Sequence, residues 1–488
     1  MTVLPSQSDS TRQSCVVKLH CKLVPSAVEG TFKADISPEA VTSVFAGRLD
    51  PSILGGNNAE CPAGRFSVWA AEPRHIFEFT DDGDDPLGDI EKALGRYRLD
   101  KPAAAMLPAG MFCGGWIGYF SYDLGRFIEK LPQTAAGDLD LPLIRLCFYD
   151  RAVCCDRTTR QWWLLALELP DDTQSPHEKL DELLGLLNDS RTQSAPAATS
   201  GDLQDVDISR LTCNMTKEQY YQALARIHRY IYDGDVYQIN FSQRFECPYD
   251  HPPVELYHWQ NRYNPSPYAA FIDAGDYSIV SASPEMFLTV RDGTISTTPI
   301  KGTRRRVVSH PQAAAINEAN FTDLVQSEKD QAELCMIIDL ERNDLARICV
   351  PGTRFVSQPR TIETFPTVFH AVATVQGRLR PDCGFGDILR ATFPGGSITG
   401  APKIRSMEII DELEPTRRSV YTGSIGYIGV DGSVCLNIAI RTVIIANGKA
   451  YAQTGGGIVA DSNADAEWEE TITKARALLA GIAAVQGT

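Results

Sequence analysis

The chain has 488 residues, 43% hydrophobic and 22% charged, which describes a globular protein long enough for a large core, in one big domain or two. Its formal net charge of −16 repels polyanions and argues against nucleic acid or an anionic membrane surface as a partner. An anionic substrate would have to be met by cations gathered locally. KGTRRR, residues 301–306, is the densest such place, with four positive charges in six residues.

The opening stretch MTVLPSQSDSTRQSC has no apolar core of signal-peptide length, and no segment approaches the run of about 18 apolar residues that a membrane span needs. Neither secretion nor membrane spanning is expected, although the Ser and Thr content leaves a short organelle presequence open. The 13 cysteines are odd in number and form no CxxC pair, and the adjacent Cys154 and Cys155 suit neither zinc nor an ordinary disulfide. They are read as reduced thiols of a cytoplasmic protein.

Strand-like pieces come first, GRFSVWAAE and GGWIGYFSYDL, within an amino-terminal region assigned to residues 1–190. LNDSRTQSAPAATSGDLQDVD, residues 187–207, is polar, rich in small residues and without apolar periodicity, so it reads as a linker or long surface loop. From 210 to 485 helical and strand-like patterns alternate, and the mixture indicates an α+β fold. In this region TPIKGTRRR, residues 298–306, follows the strand-like FLTVRDGTIST and sets a lysine at the tip of an apolar run. Taken alone, it reads as a basic surface loop.

Two later helices carry carboxylates that amphipathic patterning alone does not require. In FTDLVQSEKDQAELCMIIDLERND, Asp330 and Glu333 are three apart on one face, which Ile337 and Leu340 continue toward the interior. A carboxylate on such a face needs a partner. In NADAEWEETITKARALLAGIAAV, the apolar stripe is Trp468, Ile472, Ala475, Leu479 and Ile482, flanked by Glu467, Glu470 and Lys474. A solvated flank with an i,i+4 Glu470–Lys474 pair would explain that spacing. Convergence of the four carboxylates would instead make an oxygen-rich site for a hard divalent cation, and spacing does not decide between them.

Ten further segments in order carry a resemblance: DVYQINFSQRF, NPSPYAAF, SASPEMFL, TPIKGTRRR, SEKDQAELCMIIDLERND, FPGGSITGAPK, YTGSIGYIG, LNIAIRT, TGGGIVADS and EWEETITKA, between residues 235 and 476. The sequence resembles the chorismate-utilising enzymes, and most closely their aminodeoxychorismate synthase branch. The resemblance implies an interleaved α/β sandwich of two antiparallel sheets flanked by helices, with the chorismate site in the later region. It also implies Mg²⁺-dependent amination of chorismate on the way to 4-aminobenzoate and folate.

Residue by residue, the resemblance makes Glu333 and Glu470 magnesium ligands and Asp330 and Glu467 neighbours that reach the ion through water. It assigns Gln238, Ser397, Thr399, Tyr421, Arg441, Gly456, Gly457 and Lys474 to the substrate. Glycine lets backbone N–H groups approach an anion closely, and arginine offers a carboxylate a two-pronged fork. Lys301 stands where the C4-aminating branch carries lysine and anthranilate synthases carry alanine, so it is the implied nucleophile, with Arg304 to Arg306 as neighbours able to depress its pKa. Glu285 matches the general acid and His370 an active-site histidine. Gln238 replaces the lysine with which isochorismate-forming relatives activate water.

No cysteine stands in a GxCxGxQ context, so nitrogen is expected from a separate glutamine amidotransferase subunit or from free ammonia. ILGGNNAECPAGRF with NPSPY resembles a tryptophan pocket, implying Arg65, Phe66, Pro267 and Tyr268 as contacts. Gly56 stands there in place of the relatives' usual serine. Two alternatives remain open, C2 amination as in anthranilate synthase component I, and a non-catalytic ligand-binding relative.

Overall fold

The computed structural model describes residues 14–24, 36–56, 64–100, 106–191, 211–307, 310–365 and 367–486. Among these, strands form a 13-stranded and a 10-stranded sheet. Pairing is antiparallel apart from Cys15–Val24 beside Tyr97–Leu99 and an isolated bridge from Ala136 to Thr416. The expected α+β sandwich of two antiparallel sheets with flanking helices is what the chain forms.

Early and late segments share both sheets. Ser52–Leu54 pairs with Tyr268–Asp273 in the larger sheet, and Gly115–Phe120 pairs with Ser424–Gly429 in the smaller. The alternation of strand side chains explains how the larger sheet is covered on two sides. Leu165 and Leu167 join a core shared with Ile117, Phe120 and Phe148 of the smaller sheet. Leu164 and Ala166 join the core in which Leu180 and Leu183 of helix Pro176–Ser190 and Ile472 and Leu479 of helix Ala464–Gln486 are buried. That first helix is capped by Ser175 and Glu178 in a reciprocal capping box, and it carries regular structure through Ser190, into the start of the segment read as a linker. Residues 192–207 of that segment lie outside the described residues.

Every described cysteine is a free thiol. Among the described residues no helix is long and apolar enough to cross a membrane.

Candidate active site

Lys301 lies on strand Ile300–Arg305, which pairs with Val368–Arg378, so that Thr303 stands opposite His370. The glycine that follows it has a structural reason. Gly302 takes φ +96, and a Cβ there would come within 2.9 Å of both Asp330 Cγ and Leu324 Cδ1. Only glycine lets this strand run so close under the helix Glu328–Ala346.

Lys301 Nζ donates to the carbonyl oxygen of Ser397 at 3.1 Å. Burial depresses its pKa; Glu333, Glu285 and Glu470 act against that depression and Lys474 adds to it. The fold therefore gathers residues from four separate segments around one amine. Two of the three arginines expected to help are engaged elsewhere: Arg304 bonds Asp323 and, at 3.0 Å, Asp330, while Arg306 donates to the Phe365 carbonyl. Lys474, not the arginine run, is the cation that adds to the effect of burial.

Glu285 is 5% exposed and accepts the Ile300 N–H at 3.3 Å, and burial raises its pKa, as a proton donor requires. His370 is 2% exposed; its Nδ1 is 2.8 Å from Thr303 Oγ1 and its Nε2 has no partner. Burial, with the nearby Arg441 charge, lowers its pKa to about 3, so the ring is neutral at physiological pH. Arg441 takes φ +50 and has its own pKa lowered by burial. A desolvated guanidinium of this kind suits a carboxylate ligand.

Gln238, Gly456 and Gly457 lie together beside helix Ala464–Gln486, which carries Lys474. Gln238 is 2% exposed, with Nε2 against Gly457, where a Cβ would collide with it. A Cβ on Gly456 would meet Glu467 Oε2 at 3.2 Å and Glu470 Oε1 at 3.6 Å, which places this backbone beside the carboxylates. Lys474 bonds Glu470 at 2.7 Å and the Gly455 carbonyl at 2.8 Å. Thr399 is fully buried and its hydroxyl donates to the carbonyls of Gly395 and Gly396, so it shapes the turn that presents Ser397. Tyr421 is buried, its ring beneath the Arg418 guanidinium at 5.9 Å.

The four carboxylates sit on two helices that border this site, Glu328–Ala346 and Ala464–Gln486. Among the described residues Glu333 has only the exposed Lys329 as an ion-pair partner, at 4.0 Å. Burial raises the pKa of Glu333 and of Glu467, and repulsion from Glu470 adds to both; Glu467 also accepts the Ser462 hydroxyl at 2.7 Å. Among the described residues no three or more His, Cys, Asp or Glu side chains are grouped so that they could hold a metal ion. Asp330 and Glu470 are paired with Arg304 and Lys474, so Glu333 and Glu467 are the carboxylates here with the least cationic compensation, and carboxylate oxygens are the donors that a hard cation takes.

At the proposed tryptophan contacts, a Cβ on Gly55 would collide with Phe66 backbone, and one on Gly56 with the Ser266 carbonyl, next to Pro267 and Tyr268. Arg65 forms a bidentate pair with Asp156, closest at 2.7 Å, and lies 4.7 Å over the Phe66 ring. Residues 57–63 of this loop lie outside the described residues.

Sequence reasoning missed Glu341, Glu414 and Arg418, which are 3%, 3% and 2% exposed around the Ser397 turn. The one local signal was Glu341, four residues beyond Ile337 on the buried stripe of its helix.

With this geometry, the chain's relationships define its class. Residues 58–480 match the chorismate binding enzyme family, and the chain belongs to it. It is 38% identical over 440 residues to aminodeoxychorismate synthase component 1 of Klebsiella aerogenes, covering 88% of this chain and 92% of that protein. It is also 38% identical over 406 residues to anthranilate synthase component 1 of Pseudomonas aeruginosa, covering 82% and 80%. Among solved structures it is similar to anthranilate synthase component I of Streptococcus pneumoniae TIGR4, with a TM-score of 0.71, 32% identity, and coverage of 86% and 92%.

Proposed function

We propose that this enzyme aminates chorismate at C4 to give 4-amino-4-deoxychorismate, on the route to 4-aminobenzoate. The observation that carries the reading is Lys301, a partly buried amine with depressed pKa, hydrogen-bonded to a carbonyl and adjacent to a buried carboxyl group. Overall identity does not separate the two relatives, since both stand at 38%. The amine does, because it provides a nucleophile at the position where alanine would provide none.

The Lys301 amine attacks C2 of the ring, the ring double bond shifts, and the C4–O bond breaks. Glu285 donates the proton with which the hydroxyl leaves as water. Ammonia then attacks C4, the double bond shifts back, and the C2–N bond breaks with its electron pair returning to Lys301. Arg441 and the backbone at Gly456 and Gly457 hold substrate carboxylates, and neutral His370 turns its free Nε2 toward substrate as a hydrogen-bonding group. Glu333 and Glu470, with Asp330 and Glu467 beside them, would hold Mg²⁺, whose charge would offset that of a substrate carboxylate.

The relatives' designation as component 1 supports a partner component, and we assign to it the glutamine amidotransferase that delivers ammonia. The reduced thiols fit a cytoplasmic enzyme. The test is to incubate the purified protein with chorismate, Mg²⁺ and an ammonium salt and to identify the product by mass and chromatography. 4-Amino-4-deoxychorismate supports the reading; anthranilate would replace it with C2 amination.

A further inference from the structure

The turn that presents the Ser397 carbonyl to Lys301 is held from both ends by buried charges of opposite sign. At its amino end Glu341 Oε1 accepts the Gly396 N–H at 3.1 Å. At its carboxyl end Arg418 Nη1 donates to the Ile398 carbonyl at 3.0 Å. Each charge meets the end of the peptide dipole that it favours, and such charge-assisted bonds are about twice as strong as neutral ones.

Both charges are fixed in turn. Arg418 forms a fork with Glu414 at 2.9 and 2.7 Å and also donates to the Asn240 carbonyl at 2.7 Å. Glu341 shares its helix with Asp344, which is bound by Lys403 at 2.5 Å, and Lys403 also reaches the Thr392 carbonyl just before the turn. Glu341 and Asp344 are the two carboxylates among the buried residues of this helix, beside Leu334, Ile337, Ile338 and Leu345. Burial and Asp344 raise the pKa of Glu341 while Lys403 and the Gly396 N–H oppose that rise, and a buried carboxylate is costly to the fold unless it is hydrogen-bonded. Gly396 allows the close approach, since a Cβ would lie 2.6 Å from Leu340 Cδ2 and 3.0 Å from Glu341 Oε1.

We propose that Glu341 and Arg418 are positioning residues, a clamp that fixes the Ser397 carbonyl and through it aims the Lys301 amine at the ring. A neutral amine that donates one N–H to this oxygen has its lone pair turned away from it, toward the space where substrate would lie. A shift of the turn by about 1 Å would misdirect that lone pair and cost up to about a hundredfold in rate. The clamp rests on the reading of Lys301 as nucleophile, and the experiment separates the two.

The readouts are kcat, KM for chorismate, and the rate at which a chorismate-derived adduct, chorismate less water, appears on Lys301 when the enzyme is quenched without ammonia and weighed by mass spectrometry. Glu341→Leu removes the acceptor and should lower kcat and the adduct rate about tenfold or more, with KM within about twofold. Glu341→Gln keeps an oxygen for the Gly396 N–H and should restore most of both. Gly396→Ala displaces the turn by crowding Leu340 and the Glu341 carboxylate while keeping both charges in the chain, and it should repeat the Glu341→Leu result, which keeps the test decisive if Glu341→Leu does not fold. Wild-type adduct rates in Gly396→Ala, or a Glu341→Gln as impaired as the leucine variant, would overturn the clamp. Absence of any adduct in the wild type would overturn the nucleophile reading, and the clamp with it.

Discussion

Lys301 Nζ bonds the Ser397 carbonyl oxygen at 3.1 Å, and among the described residues it forms no salt bridge, although Glu285, Glu333 and Glu470 all act on its charge. An amine kept apart from its surrounding carboxylates is easier to deprotonate than one paired with them. Lys301→Ala should therefore abolish C4 amination while leaving the thermal unfolding midpoint within a few degrees, since a partly buried side chain leaves a strand that stays paired. Product analysis decides the outcome. Undiminished 4-amino-4-deoxychorismate from the variant would remove the covalent role.

Glu285→Gln keeps the size of the side chain and removes its proton. Loss of a general acid should lower kcat by about 10²–10⁴-fold. Because burial raises the carboxyl pKa, the wild-type rate should fall as pH rises through that value, and the variant should lack that limb. Matching pH–rate profiles in both proteins would transfer the proton to another group.

Removing one carboxylate should change metal dependence more than stability. Glu470→Gln leaves a half-exposed position whose pair with Lys474 contributes about 0–1 kcal/mol, whereas Glu333→Gln leaves a less exposed one. Both should raise the Mg²⁺ concentration needed for half-maximal rate, and chelation with EDTA should stop the wild type. A Mg²⁺ titration of rate that overlays the wild type in both variants would exclude these ligands.

The neutral burial of His370 links stability to pH. Its folded pKa of about 3 lies below its ordinary value of 6.5, so the unfolded chain binds the extra proton between those limits. Its contribution is fully present above pH 6.5 and is lost as pH falls toward 3, with a slope of up to about 1.4 kcal/mol per pH unit. His370→Asn should flatten that slope in urea unfolding measured across this range. An unchanged slope would show that other groups set the acid sensitivity.

Gly56→Ser tests the pocket resemblance. The new Cβ would collide with the Ser266 carbonyl and lie 2.9 Å from Asn261 Oδ1. Overpacking of this kind costs about 1–3 kcal/mol. The variant should melt lower than the wild type, and calorimetry should show no gain in tryptophan affinity. A serine variant of wild-type stability that binds tryptophan more tightly than the wild type would show that the pocket accepts the hydroxyl.

Local chemistry made much of this enzyme legible in its sequence. The strand-like pieces, the apolar stripe of the last helix and the carboxylates three or four apart on two helices are near-neighbour patterns, and such patterns depend on backbone period alone. Ordered motifs then carried the family and the candidate residues, Lys301 among them. Spacing along the chain could not say what lies across it. That Ser52–Leu54 pairs with Tyr268–Asp273, joining early and late segments in one sheet, is a long-range register. That Arg304 is taken up by Asp323 and Asp330, leaving burial and Lys474 to depress Lys301, follows from which charged groups the fold brings within reach. Glu341 and Arg418, 77 positions apart, meet the two ends of one turn only because helix and loop fold back on it. Desolvation and hydrogen-bond geometry act over a few ångströms of space, and only tertiary structure decides which residues share them.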